Sequence, residues 1–164
     1  MADYRNIHTE FWTDDWILEL DPIDKILFIY LFSNARSNLA GLYDIGIKVM
    51  AFETGIDQER IIETLDRFAA DGKAYYQDGV MWVPNLPVRN AYNIKNQKIV
   101  TNITNTLKAF RECDLKHRAI EYWNHTIAPR YDIDVISCPI YNQSVNQSIT
   151  ESGSPDLPEE ETPE

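Results

Sequence analysis

The feature that most constrains the fold of this chain is a helical pattern that leads directly into a tight hairpin, between residues 55 and 85. Apolar side chains recur in it at helical spacing, at Ile61, Leu65, Phe68 and Ala69. Gly72 ends the pattern, and two β-rich runs follow, joined by Asp78-Gly79. Asp-Gly is typical of a two-residue hairpin turn, because both residues tolerate positive φ. The stretch therefore predicts a helix beside a two-stranded ribbon.

The preceding segment predicts two more helices with a short strand between them. Asp21 and Pro22 form an N-cap and first-turn pair, which is typical of a helix start. That helix is apolar around most of its circumference, which indicates burial or contact with another chain. A strand at about 39–45 and a short helix ending at Gly55 follow. This order of elements is that of a winged helix-turn-helix domain. We expect its core to be closed by Tyr76, Trp82 and Val83.

Composition divides the chain into three segments. We expect the winged-helix domain with an N-terminal arm in residues 1–94 and a helical extension in residues 95–128. Apolar stripes mark two helices in the extension, the first at Ile99, Val100, Ile103, Leu107 and Phe110 and the second at Leu115, Ala119, Tyr122 and Trp123. Residues 129–164 are rich in Ser, Asn, Gln, Pro and Glu, which predicts an acidic, disordered tail. The expected fold class is mainly α with a small β-hairpin.

The charge distribution limits how strongly one chain could bind nucleic acid. The formal net charge is −11, whereas phosphate contacts need Lys and Arg. Only residues 95–128 have a basic surplus, with six Lys and Arg against three Asp and Glu. DNA binding would therefore be weak for each chain and sensitive to salt, and several chains side by side would bind better. We expect a homo-oligomer.

The helix before the hairpin is the first candidate DNA-binding element. In a winged helix this helix presents its solvent face to the major groove. Arg60, Thr64 and Arg67 are expected on that face, where arginine could contact guanine edges. Glu63 and Asp71 share the face, so the alternative is a solvated surface with internal ion pairs. The hairpin tip has no arginine, and we expect no minor-groove insertion.

The first helix of the extension is the second candidate. Its predicted outer side carries side chains suited to phosphate contact, namely Lys98, Thr101, Asn105, Lys108 and Arg111. Lys116 and Arg118 are expected to extend this positive surface. The alternative is that these polar residues only solvate a packed helix.

Several short motifs, in order along residues 4 to 90, give the chain a family resemblance. They are Phe11-Trp12 with Asp15-Trp16, Leu39 and Gly41 with Tyr43, Glu53-Thr54-Gly55, Gly72-Lys73, and Trp82-Val83. With these motifs the segment resembles the N-terminal domain of phage and prophage replisome organisers, which is related in shape to that of the replication-initiation protein DnaD. The resemblance implies a winged-helix domain that binds DNA and self-assembles in replication initiation, with host replication proteins as further candidate partners.

Aromatic residues at the start of the chain are candidates for packing. Trp12 and Trp16 are four residues apart, and Asp14 and Asp15 between them would repel a phosphate backbone. We therefore expect core or oligomer contacts for these aromatic residues, namely Trp12, Trp16, Phe28 and Phe32.

Other function classes are disfavoured. The histidines His8, His117 and His125 show no metal spacing, and the six glycines are scattered singly, without a phosphate-binding loop. We expect no enzyme activity, no metal and no cofactor. The N-terminus lacks the apolar region of a signal peptide, so a cytoplasmic location without membrane contact is expected. Two other functions stay open: a transcriptional regulator that reads a palindrome, and an acidic protein-interaction module without DNA binding.

Overall fold

The structure is a computed structural model, and it describes residue 5, residues 7–90 and residues 93–137. The N-terminal half contains a 3₁₀ turn (Thr9–Thr13), α1 (Asp15–Glu19), α2 (Pro22–Ser33), β1 (Leu42–Asp44), α3 (Ile47–Thr54), α4 (Gln58–Ala70), β2 (Tyr75–Gln77) and β3 (Val80–Trp82). The remainder contains α5 (Leu86–Asn90), α6 (Gln97–Ala109), α7 (Asp114–Tyr122), a π-helical turn (Trp123–Ile127) and α8 (Ala128–Tyr131). The predicted class, mainly α with a small hairpin, is confirmed.

The sheet is antiparallel, with the strand order β1-β3-β2. Trp82 of β3 pairs with Leu42 on one side and with Tyr75 on the other. The turn between β2 and β3 has positive φ at both Asp78 (50°) and Gly79 (78°), as a two-residue hairpin turn requires. The hairpin is therefore where the sequence predicts it, and β1 is shorter than the predicted 39–45.

Both faces of the sheet are buried, and this decides how the two halves of the chain fit together. In β3, Met81 belongs to the core formed with α2, α3 and α4, whereas Val80 and Trp82 belong to a second core formed with α6, α7 and α8. A strand covered on both faces is apolar at consecutive positions instead of alternating. The expectation that Trp82 closes the winged-helix core is therefore wrong, because this side chain points to the opposite face.

The first core explains why α2 is apolar around most of its circumference. Its inner side chains, Leu27 and Leu31, are completely buried. The other side of α2 is covered by the N-terminal arm, since the Phe28 ring lies 4.9 Å from Trp16 and the Phe32 ring lies 5.9 Å from Phe11, between centroids. The arm thus completes the winged-helix core within one chain.

The second core places the predicted extension directly on the sheet. The apolar stripes of α6 and α7 are buried there, with Val100, Ile103, Leu107, Leu115 and Trp123 all less than 5% exposed. The extension therefore forms a helical layer over the sheet face that the winged-helix core leaves uncovered.

A π-helical turn joins α7 to α8 and holds the segment that follows. Pro129 has no N–H to donate to the carbonyl of His125, and its ring crowds that carbonyl, so a wider turn fits there. Asn124 in this turn is buried, and its amide bonds both the N–H and the carbonyl of Ile136 (2.6 and 2.9 Å). The described structure thus continues past residue 129, where the predicted tail begins, to residue 137. The rest of the predicted tail, residues 138–164, lies outside the described residues.

Candidate nucleic-acid interface

The three α4 residues expected to contact DNA surround a buried carboxylate instead. Thr64 is completely buried, and its hydroxyl donates to Asp24 Oδ1 at 2.8 Å. Arg60 Nη2 lies 3.0 Å from the same oxygen and also bonds Asp21, while Arg67 Nη2 lies 2.6 Å from Asp24 Oδ2. The prediction that Thr64 faces solvent is therefore wrong, and the two arginines neutralise Asp24. The signal for this network in the sequence was the charge of Asp24 in a mostly apolar helix.

The true solvent face of α4 is acidic. Apart from Arg67, whose charge is paired with Asp24, its exposed side chains include Glu59, Ile62, Glu63 and Asp66. Of these, Ile62 is apolar and the other three are carboxylates, so this face repels the phosphates that border a major groove. The geometry does not favour α4 as a helix that reads DNA.

The hairpin tip is tied to the α6–α7 connection by Arg111. The Arg111 Nε lies 3.0 Å from Asp44 Oδ1, and its Nη2 donates to the carbonyl of Asp78 at 3.0 Å. Arg111 was expected to contact phosphate, but it is engaged in holding the wing. Because both charged groups of the ion pair are about half exposed, the pair contributes little stability.

Lys116, expected on the positive surface, is 4% exposed and caps the end of α6. Its Nζ donates to the carbonyls of Lys108 (3.0 Å) and Phe110 (2.7 Å), and to the Glu112 carboxylate. A positive charge is favourable beside the carbonyls that end a helix. Hydrogen bonds from Lys116 and His117 lower the pKa of the Glu112 carboxyl.

The outer face of α6 matches the prediction most closely. Its exposed side chains include Gln97, Lys98, Thr101, Asn102, Asn105 and Lys108, and the helix contains no carboxylate. The first five of these line a shallow groove on the surface. The side chain of Asn96 caps the helix by accepting from the Lys98 N–H at 2.9 Å. Lys98, Thr101, Asn105 and Lys108 thus lie together on one exposed face, and Arg111 does not join them.

Most arginines in the described part of the chain are already paired. Carboxylates pair with Arg36, Arg60, Arg67, Arg89 and Arg111. By contrast, Lys98 and Lys108 form no ion pair with any described residue, and the same holds for Lys95 before α6 and for Lys48 on α3. The α6 face therefore presents available positive charge in a chain that is acidic overall.

Three of the four aromatic residues expected in packing or oligomer contacts pack against other residues of the same chain. Phe28 and Phe32 are 3% and 5% exposed. Trp16 packs against Phe28 and Phe68, and its Nε1 donates to Asp71 at 2.8 Å. Trp12 is 57% exposed, so it is the member of this set that remains available to another molecule.

Comparisons with protein-family models, with curated proteins and with solved structures found no match for this chain. Within the described residues, no helix combines the length and apolarity needed to cross a membrane. The same part of the chain contains no cluster of His, Cys, Asp or Glu side chains arranged to hold a metal ion.

Proposed function

We propose that the protein binds nucleic acid by its phosphate backbone, along the exposed face of α6. The observation that carries the proposal is a helix that presents Lys98 and Lys108 unpaired among the described residues, with no carboxylate of its own. Thr101 and Asn105 lie between the lysines and add neutral hydrogen-bonding groups of the kind that contact phosphate oxygens. Such contacts carry no sequence information by themselves, so the binding is expected to be largely non-specific.

The number of cations on the α6 face determines how strongly one chain is expected to bind nucleic acid. Lys98 and Lys108 are ten residues apart, or about 15 Å along the helix, which spans about four phosphates of one strand. If Lys95 also contacts a phosphate, three cations give a slope of about −2.7 for log K against log salt concentration. A fourfold rise in salt would then weaken binding about 40-fold. One chain alone is expected to bind weakly.

Assembly of several chains along the polymer would compensate for this weakness, because linked sites bind with avidity. Large apolar side chains available for contact between chains include Phe52 on α3, which is 90% exposed, and Ile26 on α2, which is 54% exposed. The resemblance of residues 4 to 90 to replisome organisers supports initiation of phage or prophage DNA replication as the process. We propose this role, with a cytoplasmic location, on that resemblance.

The test measures the affinity for a labelled duplex by fluorescence anisotropy at several salt concentrations. Lys98→Gln and Lys108→Gln should each reduce the magnitude of the salt slope by about 0.9, and the double variant by about 1.8. Lys48→Gln is the matched control, since it removes an exposed lysine that is also unpaired among the described residues but lies on α3. A double variant that keeps the full slope would refute the α6 assignment.

Sedimentation velocity with and without the duplex tests the assembly. We expect more than one chain on each duplex at saturation. If one chain at most binds each duplex, and the free protein stays monomeric at high concentration, the assembly proposal is wrong.

A second candidate is a protein-interaction module that does not bind DNA. The acidic outer face of α4, where Ile62 is surrounded by Glu59, Glu63 and Asp66 in sequence, favours a basic partner. Absence of duplex and single-strand binding at low salt would support this candidate against the first. A transcriptional regulator is less favoured, because Thr64 is buried and Arg60 and Arg67 are engaged by Asp24.

A further inference from the structure

Two arginines of the C-terminal half are held by aromatic rings instead of carboxylates. The guanidinium carbon of Arg118 lies 4.1 Å from the centroid of the Tyr75 ring and 5.4 Å from that of Trp82. The guanidinium carbon of Arg130 lies 5.6 Å from the centroid of the Tyr131 ring. Neither arginine forms an ion pair or a hydrogen bond with any other described residue. Both are exposed, so their N–H groups are available to an anion.

The aromatic rings beside these arginines all belong to, or pack against, the second core. Tyr75 stacks on Trp82 with centroids 5.1 Å apart, and Tyr122 meets the Trp82 ring edge-on at 5.9 Å. Tyr75, Tyr122 and Tyr131 all pack, partly buried, against the same second core, and burial raises the pKa of Tyr122. We call this set the tyrosine–arginine surface; it consists of Tyr75, Tyr122, Tyr131, Arg118 and Arg130, with the three tyrosines half-buried.

We propose that the tyrosine–arginine surface binds single-stranded nucleic acid, with Arg118 and Arg130 contacting phosphates and the tyrosine rings stacking on unpaired bases. Stacking of a guanidinium on an aromatic ring orients its planar set of donors, which suits phosphate oxygens. Aromatic rings stack on the faces of unpaired bases, which a duplex hides between base pairs. An acidic peptide would satisfy the arginines but would offer no base to the rings.

The inference rests on the proposed nucleic-acid function but uses different residues from the α6 face. Two exposed carboxylates are neighbours in sequence, since Glu121 precedes Tyr122 and Asp132 follows Tyr131. Neither forms an ion pair with Arg118 or Arg130. Their charge opposes phosphate binding, so the affinity should be modest and should depend on stacking as well as on charge.

The test compares a labelled oligothymidylate with a duplex of the same length, using the full chain and fluorescence anisotropy. Arg118→Gln and Arg130→Gln together should weaken oligothymidylate binding at least about tenfold and reduce the magnitude of its salt slope by about 1.4. Tyr122→Leu should also weaken this binding, by about fivefold or more, without changing the slope, because it removes a ring but no charge. Duplex binding should stay within about twofold in both variants, since its contacts lie on α6.

The control is Arg36→Gln, which removes an exposed arginine that is paired with Glu53 in the winged-helix half. Thermal unfolding of each variant checks that the fold is kept. The inference is wrong if Arg118→Gln with Arg130→Gln weakens oligothymidylate binding no more than Arg36→Gln does, or if duplex binding falls equally. It is also wrong if a peptide of residues 151–164 binds this surface as tightly as the oligothymidylate. Duplex binding that still depends on Lys98 and Lys108 would leave the proposed function intact in each case.

Discussion

Removal of the Asp24 carboxylate should destabilise the winged-helix core strongly. Asp24 lies on α2 and is completely buried, and it contacts three side chains of α4. Thr64 donates to it at 2.8 Å, and the guanidinium groups of Arg60 and Arg67 lie 3.0 and 2.6 Å away. In Asp24→Ala, Thr64 and Arg67 lose this partner, Arg60 keeps only its contact with Asp21, and the buried hydroxyl of Thr64 is left without an acceptor.

The loss of stability in Asp24→Ala depends on how well each of its partner groups can be rehydrated. Breaking a buried ion pair costs about 3–5 kcal/mol, mainly because the remaining charge stays buried. Here the side chains of Arg60 and Arg67 are 32% and 50% exposed, so both cations can rehydrate, and the lower end of that range applies. The unsatisfied Thr64 hydroxyl is part of this total, so we expect Asp24→Ala to cost about 3 kcal/mol. Thr64→Val removes two hydrogen bonds, the one donated to Asp24 and the one accepted from Arg67 at 3.2 Å, and should cost about 1–2 kcal/mol.

Urea unfolding followed by circular dichroism measures these differences. With a slope of about 2 kcal/mol/M, a loss of about 3 kcal/mol lowers the midpoint by about 1.5 M. Asp66→Ala is the matched control, because it removes an aspartate from the exposed face of the same helix and should change stability by less than about 0.5 kcal/mol. If Asp24→Ala costs no more than Thr64→Val, the carboxylate does not hold α2 and α4 together.

The remaining predictions concern a glycine and the acid range. Gly41 has a φ of 72°, and a Cβ added there would collide with the Val83 carbonyl and lie 3.0 Å from the Leu86 Cβ. Gly55 has a similar φ of 74°, but a Cβ added there would meet nothing within 4 Å. Gly41→Ala should therefore lower the free energy of unfolding by about 1–3 kcal/mol more than Gly55→Ala; equal losses in urea would refute the close approach. The backbone N–H of Asp24 and the Arg60 guanidinium lower the pKa of Asp21 below its ordinary 3.8, so its stabilising contribution is present above that pH and is lost as the pH falls through the folded-state value. The urea midpoint of the wild-type protein should therefore decrease as the pH falls below about 3.8, and the decrease should be smaller in Asp21→Asn. If the midpoint of Asp21→Asn falls as steeply as that of the wild type, Asp21 does not contribute this pH-dependent stability.

Elements that depend on neighbours in the chain could be predicted from the sequence. The hairpin at Asp78-Gly79 follows from turn geometry, and the start of α2 follows from Asp21 and Pro22, whose cap and fixed φ act within one turn. The inward stripe of α6 follows in the same way, because one apolar side implies a polar outer side. The exposed positions of Lys98 and Lys108 could be predicted for this reason.

The burial and orientation of side chains that contact residues far away in the sequence were determined by the tertiary structure alone. Thr64 is buried where its hydroxyl donates to Asp24, forty residues away in the sequence. Lys116 is buried where its ammonium group caps the carbonyls that end another helix. Trp82 points away from the winged-helix core because α6 and α7 cover the second face of the sheet. Helical and strand periodicity determine which residues share a face. They do not determine what packs against that face, because burial depends on contacts between residues far apart in the chain.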